Sequence, residues 1–302
     1  MSVFLQCLKV ALPATWKSAS WLLKLMIPIS LGVTLLQHYG ILEVLASYLH
    51  PLFVHLGLPG ASAIAFISGA MAGTYAGLAA MMSMPLNMKE ATILGIMIAL
   101  CHALPMESAV NRKTGSSFWK MSLIRIFMAF GSAFLLNLFL GESSEKYIYL
   151  GVPANSTTAE MLSGWVVSQL KMSVMVVLII YFLMVLQRML EAYRLLRPLS
   201  ELLSPMMRFF GLPEKAAYMW LVGNVLGISY GSAVMLELKE KRVITPEDAN
   251  AVNYHLIMSH SLLEDTLVLA ATGIPALLLI SVRVTLAFFL VWLRRACLFL
   301  FK

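Results

Sequence analysis

Six apolar runs dominate the chain, at about 21–37, 61–84, 119–140, 166–186, 216–236 and 275–293. Each is about 17 to 25 residues, the length a helix needs to cross the hydrocarbon layer of a bilayer. Two further apolar segments, 89–115 and 247–273, are interrupted by polar residues near their middles. The interruptions are Cys101-His102-Ala103-Leu104-Pro105-Met106-Glu107 and Ser259-His260-Ser261-Leu262-Leu263-Glu264-Asp265. Broken backbone at membrane depth survives only where protein or a watery cavity satisfies it, so these two segments are predicted to be re-entrant hairpins. The pattern thus predicts an all-α polytopic membrane protein with six crossings and two hairpins.

Composition agrees. The 302 residues are 60% hydrophobic and 12% charged, with mean hydropathy +0.84. An ordinary soluble domain carries about 25% charged residues. Lys9 and Lys17 precede the first run, which is long and holds Lys24 and Pro28. It is predicted to be a retained span and not a cleaved leader. Cys7, Cys101 and Cys297 form no CxxC pair, so neither a disulfide framework nor a zinc site is expected. The net charge of +7 points to anionic lipid head groups and cytoplasmic loops, not to nucleic acid.

The chain also repeats itself. Pro51, Gly57-Leu58-Pro59, Gly69, Gly73 and Gly77 recur as Pro205, Gly211-Leu212-Pro213, Gly223, Gly227 and Gly231, a constant 154 positions later (205 − 51). His102, Glu107 and Arg125 recur as His260, Asp265 and Arg283, now 158 positions later (260 − 102). Matches on Gly, Pro, His and Arg are not explained by shared apolar composition. Two homologous halves are the usual plan of a secondary transporter, with its site between them. The expected units are a first repeat at 1–140, a polar linker at 141–163 and a second repeat at 164–302.

The loops orient the halves. Segment 38–57 lacks Lys and Arg and reads as external, whereas its counterpart 188–208 carries Arg188, Arg194, Arg197 and Arg208 and reads as cytoplasmic. Equivalent segments on opposite sides make the repeat inverted, with three spans, an amphipathic helix (41–56 or 187–210) and a hairpin in each half, and both termini inside. Lys239, Lys241 and Arg242 resist this scheme, because it places them outside.

Several residues are candidates for chemistry. His102 and His260 occupy equivalent places in apolar segments, each followed by an acid: Glu107 in the first copy, Glu264 and Asp265 in the second. Ionisable groups within a membrane are costly and usually face a cavity or a partner. Asn111 follows Glu107 by four residues and shares its helical face. Tyr75, Asn224, Ser229 and Tyr230 lie beside the glycines. With the histidines and acids they make up the expected solute-binding set. Gly69, Gly73, Gly77, Gly223, Gly227 and Gly231 are expected to serve close packing and gating, either as smooth stripes or by local unwinding that exposes carbonyls. Arg125 and Arg283 read as partners of the acids, Arg283 with Asp265. Cys101, His102, Glu107, His260, Glu264 and Asp265 include plausible ligands for Fe²⁺ or Zn²⁺, but no fixed ligand spacing is present and they come together only if the two hairpins meet, so no metal or cofactor is expected.

With the Gly runs, the Gly-Leu-Pro turns and the His-containing segments in view, the chain resembles the nucleoside-recognition, or Gate-domain, membrane family. It is similar in pattern to the permease part of bacterial ferrous-iron transporters and, more remotely, to concentrative nucleoside transporters. The resemblance covers 49–125 and 203–283. It implies paired Gate units of opposite orientation with gating glycines between them. The departures are the missing phosphate-binding GK[ST] loop and Ser259 as the counterpart of Cys101.

The expected function is transport of a small polar solute, nucleoside-like in one version, across a bacterial inner membrane by alternating access. H⁺ coupling would run through the His and acid residues, and Na⁺ coupling through exposed carbonyls. The alternative is a membrane assembly or signalling partner without transport, acting as a homodimer or with another membrane protein. A lipid-linked substrate and a divalent metal are further alternatives. An enzyme ranks last, because no nucleophile stands beside a base.

Overall fold

The computed structural model describes residues 3–148 and 157–300, apart from the side chains of Leu25, Leu42, Glu43, Leu45 and Ala46. The first half holds α1 (Val3–His38), α2 (Ile41–Phe53), α3 (Ser62–Ala72), α4 (Thr74–Met82), α5 (Met88–Cys101), α6 (Leu104–Thr114) and α7 (Phe118–Phe139). The second holds α8 (Thr158–Ala192), α9 (Leu196–Phe209), α10 (Ala217–Leu226), α11 (Ile228–Glu240), α12 (Pro246–Ser259), α13 (Leu262–Ala270) and α14 (Ala276–Leu300). Element follows element in the same order in both. Even the caps match: α5 starts from an Asn87–Glu90 capping box and α12 from a Thr245–Asp248 box, 158 positions on.

Among the described residues, five helical segments are long and apolar enough to cross a membrane: α1, α5 with α6, α7, α8 and α14. The chain is a multi-pass membrane protein. Within the expected linker, 141–163, a Thr157–Glu160 capping box starts α8 at Thr158. Residues 149–156 of that linker lie outside the described residues.

Two expectations are reversed. The apolar runs at 61–84 and 216–236 are not spans. Each breaks at a glycine and folds back, α3 on α4 and α10 on α11. Gly73 has φ 104° and ψ 171°, and Gly227 has φ 93° and ψ 167°, a region essentially reserved for glycine. In one straight helix Gly69 and Gly77 would stand about 12 Å apart. Instead, a Cβ added to Gly77 would lie 2.9 Å from the Cα of Gly69, and one added to Gly231 would lie 2.8 Å from the Cα of Gly223. The glycines are the contact between the two arms, which only residues without side chains permit.

Conversely, the segments at 89–115 and 247–273 do not fold back. α7 runs antiparallel past α6 and then α5: Ser122 donates to Ser108 at 2.8 Å, and one turn later Arg125 reaches Glu107, His102 and Leu100. α14 does the same along α13 and α12. Each segment is a pair of helices broken in mid-course but continuing in one direction, and the first pair is long and apolar enough to cross a membrane. Hydropathy marks polar interruptions but does not show whether the backbone reverses at them. That explains why the hairpin and the span were exchanged.

The core lies between the halves. From Ala91 to Cys101, α5 is almost wholly enclosed, as is α12 from Val252 to His260. α1 and α8 pack chiefly on each other at the edge and leave much of their surface open, as lipid-facing helices do.

Candidate functional site

The two broken helix pairs place their breaks side by side. α5 ends at His102, and Ala103 then turns left-handed at φ 45°. α12 ends at His260, and Ser261 turns at φ 50°. Such angles cost energy for residues with a Cβ and persist only where the surroundings hold them. Here the hold is repeat-symmetric. Ala103 N–H donates to the Gly69 carbonyl at 3.0 Å, and Ser261 N–H to the Gly223 carbonyl at 3.1 Å. Each glycine hairpin thus clamps the break in its own half.

A buried arginine clamps the other side. Arg125 donates to the carbonyls of Leu100 and His102, both at 2.8 Å, and to Glu107 Oε2 at 2.7 Å. Arg283 donates to Met258 O at 2.9 Å, to His260 O, and to Asp265 Oδ2 at 3.1 Å. Both arginines have 0% exposure, so every one of these bonds forms away from water. The expected Arg283–Asp265 pair is present. What the motif reading did not reveal is that each guanidinium also ties up the carbonyls freed by the helix break.

Inside the clamps, side chains from both halves converge. His102 and His260 approach to 3.3 Å between their Nε2 atoms. Glu107 lies across both, with Oε1 3.2 Å from His102 Nε2 and Oε2 3.0 Å from His260 Nε2. Asp265 Oδ2 is 3.8 Å from His102 Nε2. The other ring nitrogens face backbone: His102 Nδ1 lies 3.1 Å from Ala99 O, and His260 Nδ1 lies 2.6 Å from Leu256 O. A carbonyl only accepts, so each Nδ1 carries a hydrogen, and in a neutral ring Nε2 then turns a lone pair inward.

The tip of the first hairpin completes the group. Thr74 donates to Asp265 Oδ1 at 2.9 Å, and Tyr75 donates to Glu264 at 3.1 Å. Thr74 was not among the expected binding residues. Only the fold brings it to an acid 191 positions away. The second hairpin is not equivalent, since Ser229 and Tyr230 are exposed and stay outside the cluster. Tyr230 and Glu264 instead line a cavity of about 120 Å³, between α8, α10, α11 and α13.

Two expected amides, Asn111 four residues after Glu107 and Asn224 beside Gly223, have unmet bonding capacity. Asn111 is fully buried, and neither its Oδ1 nor its Nδ2 has a partner among the described residues. Asn224 donates to Trp220 O at 2.9 Å, but its Oδ1 is unmatched. Buried polar atoms of this kind are uncommon and call for water, an ion or a ligand. His255, absent from the expected set, belongs to a separate network with Trp220 (3.1 Å) and Ser259 (2.8 Å).

Comparison with known proteins places this geometry. A family model described as nucleoside recognition, Gate, matches residues 19–116. The uncharacterized membrane protein YvoD of Bacillus subtilis (strain 168) is 31% identical over 289 residues, 94% of this chain and 91% of the relative. No solved structure matches.

Proposed function

Because the chain belongs to the Gate family of membrane proteins, we propose that it is an inner-membrane secondary transporter of a small polar solute, working by alternating access between two inverted repeats. The observation that carries the reading is the His102–His260 contact. Residues related by a twofold pseudo-symmetry touch only where they lie on its axis. The axis therefore runs between these rings, at the breaks of two crossing helices. That is where transporters built from inverted repeats hold substrates and ions.

The inverted topology draws support from the exchange of hairpin and span. With α3–α4 re-entrant from outside and α10–α11 re-entrant from inside, the loop bearing Lys239, Lys241 and Arg242 becomes cytoplasmic, like Arg112, Lys113, Lys120 and Arg294. Contacts between segment ends agree. Lys89 pairs with Glu142 at 2.7 Å and His38 with Thr158 at 3.5 Å at the proposed outer surface. Lys239 bonds Thr114 O at 3.2 Å and Arg294 pairs with Glu247 at 3.1 Å at the inner one. The repeats are then 1–140 and 158–302, with α12–α13 as the sixth crossing and both termini inside.

The expected binding residues divide into two roles. His102, Glu107, His260, Glu264 and Asp265 hold a coupling proton or ion. Tyr75, Asn111, Asn224, Ser229 and Tyr230 face the solute path. Ligand pockets usually hold about 300–1,000 Å³. The cavity beside Glu264 has about 120 Å³, so a nucleoside-sized solute requires the halves to move apart. Gly73 and Gly227 are the hinges of that movement.

A thermal-shift screen of purified protein with nucleosides, amino acids and Na⁺ at several pH values tests the proposal. A ligand at 100 times its Kd stabilises the native state by about 2.7 kcal/mol. Stabilisation by one class, lost in Asn111→Leu and followed by counterflow in proteoliposomes, is the expected result. Absence of counterflow for every stabilising ligand overturns it. A second reading, an assembly partner without transport, draws on α9. That helix exposes Leu199, Leu202, Met206 and Phe209 along one stripe, which Leu195 just before it continues.

A further inference from the structure

We propose that His102, His260 and Glu107 form a binding site for one divalent transition-metal ion on the axis between the two halves. The three ligand groups are buried and present their donor atoms within 4.8 Å of one another. Their separations are more telling. His102 Nε2 and His260 Nε2 are 3.3 Å apart, and the Glu107 carboxylate closes a triangle with them, its Oε1 3.2 Å from His102 Nε2 and its Oε2 3.0 Å from His260 Nε2. Donors bound at about 2.0–2.2 Å from a metal lie about 3.0 Å apart when at right angles and about 3.4 Å apart at tetrahedral angles. These contacts have the lengths of donor–donor edges in a coordination polyhedron, with the carboxylate facing both rings.

The surroundings fit a metal site as well. Each imidazole is oriented by Nδ1–H donation to a backbone carbonyl, Ala99 O or Leu256 O. That outer hydrogen bond fixes the tautomer and leaves Nε2 free to coordinate. In this state two lone pairs and a carboxylate point at one another, an arrangement that a shared metal ion satisfies, as does a proton on one imidazole. Arg125 engages Glu107 Oε2 at 2.7 Å and leaves Oε1 as the free carboxylate oxygen. Two guanidiniums face three carboxyl groups here: Arg125 and Arg283 against Glu107, Glu264 and Asp265. With all three acids ionised the group carries one net negative charge, which a cation offsets.

The ligand set selects the ion. Two imidazoles with one carboxylate favour Zn²⁺, Co²⁺, Ni²⁺, Mn²⁺ or Fe²⁺ over Mg²⁺ and Ca²⁺, which prefer oxygen alone. The spacing in the chain conceals the site, because its ligands come from breaks 158 residues apart. Asp265, shorter than Glu107 by one methylene and held by Arg283 and Thr74, stays beside the triangle. The proposal stands whether or not the protein moves a solute, since binding is read on the purified chain without flux.

The test uses tag-free protein in detergent, stripped with a chelator and titrated with Co²⁺. One equivalent per chain is expected, with visible d–d bands, and a loss of affinity of tenfold or more in His260→Asn and Glu107→Gln. Cys297→Ser, at an exposed residue outside the cluster, should bind as the wild type does. Unchanged Co²⁺ binding in both ligand variants overturns the proposal. So does absence of binding by folded wild type at millimolar Co²⁺ and neutral pH, which would assign the cluster to protons alone. X-ray absorption of Zn²⁺-loaded wild type needs no variant to fold. A shell with two imidazoles supports the site, and a shell without them overturns it.

Discussion

Replacing Gly73 by Ala separates the folded-back hairpin from an unbroken span by the sign of its effect. A Cβ at Gly73 meets nothing within 4 Å, so the substitution causes no clash. Its whole cost is conformational. The backbone stands at φ 104° and ψ 171°, where a residue with a side chain pays about 1–3 kcal/mol. Gly131, within α7, also has open space around its Cβ but is helical. There Ala gains about 1 kcal/mol of helix propensity. The two variants should therefore differ by about 2–4 kcal/mol, with Gly73→Ala below wild type and Gly131→Ala above it. Equilibrium unfolding in mixed micelles with rising SDS measures both. If 61–84 were a continuous helix, Gly73→Ala would stabilise just as Gly131→Ala does, and that result would refute the hinge.

Other expectations concern the clamps and the unmatched amide. Arg125→Met should cost about 3–5 kcal/mol, because it strands Glu107 as a buried charge and frees two carbonyls. Adding Glu107→Gln should recover part of the loss. A double variant as unstable as the sum of the singles, by the same unfolding assay, would show that the pair is not coupled. Asn111→Leu should be neutral or stabilising by about 1–3 kcal/mol, since it removes an amide with no partner among the described residues. It should also abolish solute binding in isothermal titration. A strongly destabilised Asn111→Leu protein would mean that the amide is structural.

The repeat, the paired histidines and the Arg283–Asp265 pair were legible because they are matters of residue type and spacing. The division of apolar runs into spans and hairpins was not. Gly73 and Gly227 reverse the chain through backbone angles, which hydropathy does not record, while the polar run around His102 leaves its two helices in line along α7. One signal was available. Lys239, Lys241 and Arg242 fell on the wrong side of the expected topology, and exchanging hairpin and span removes that conflict. Thr74 and the carbonyl contacts of the arginines could not be read, because they depend on which helices meet. The His–His–Glu group was legible only as a condition: its members are possible ligands in the sequence, but whether the two breaks meet depends on the fold.

The inverted relation of the two halves underlies the whole account, and one pair of cysteines tests it. Tyr48 on α2 and Leu202 on α9 are repeat equivalents, 154 positions apart, and are 80% and 75% exposed. Cys7 and Cys101 are buried, so a background with only the exposed Cys297 replaced by Ser is suitable. In intact cells and inside-out vesicles, a membrane-impermeant maleimide should label Tyr48→Cys from outside only and Leu202→Cys from inside only. Labelling of both from the same side would contradict the inverted repeat, and with it a site on the axis between the halves.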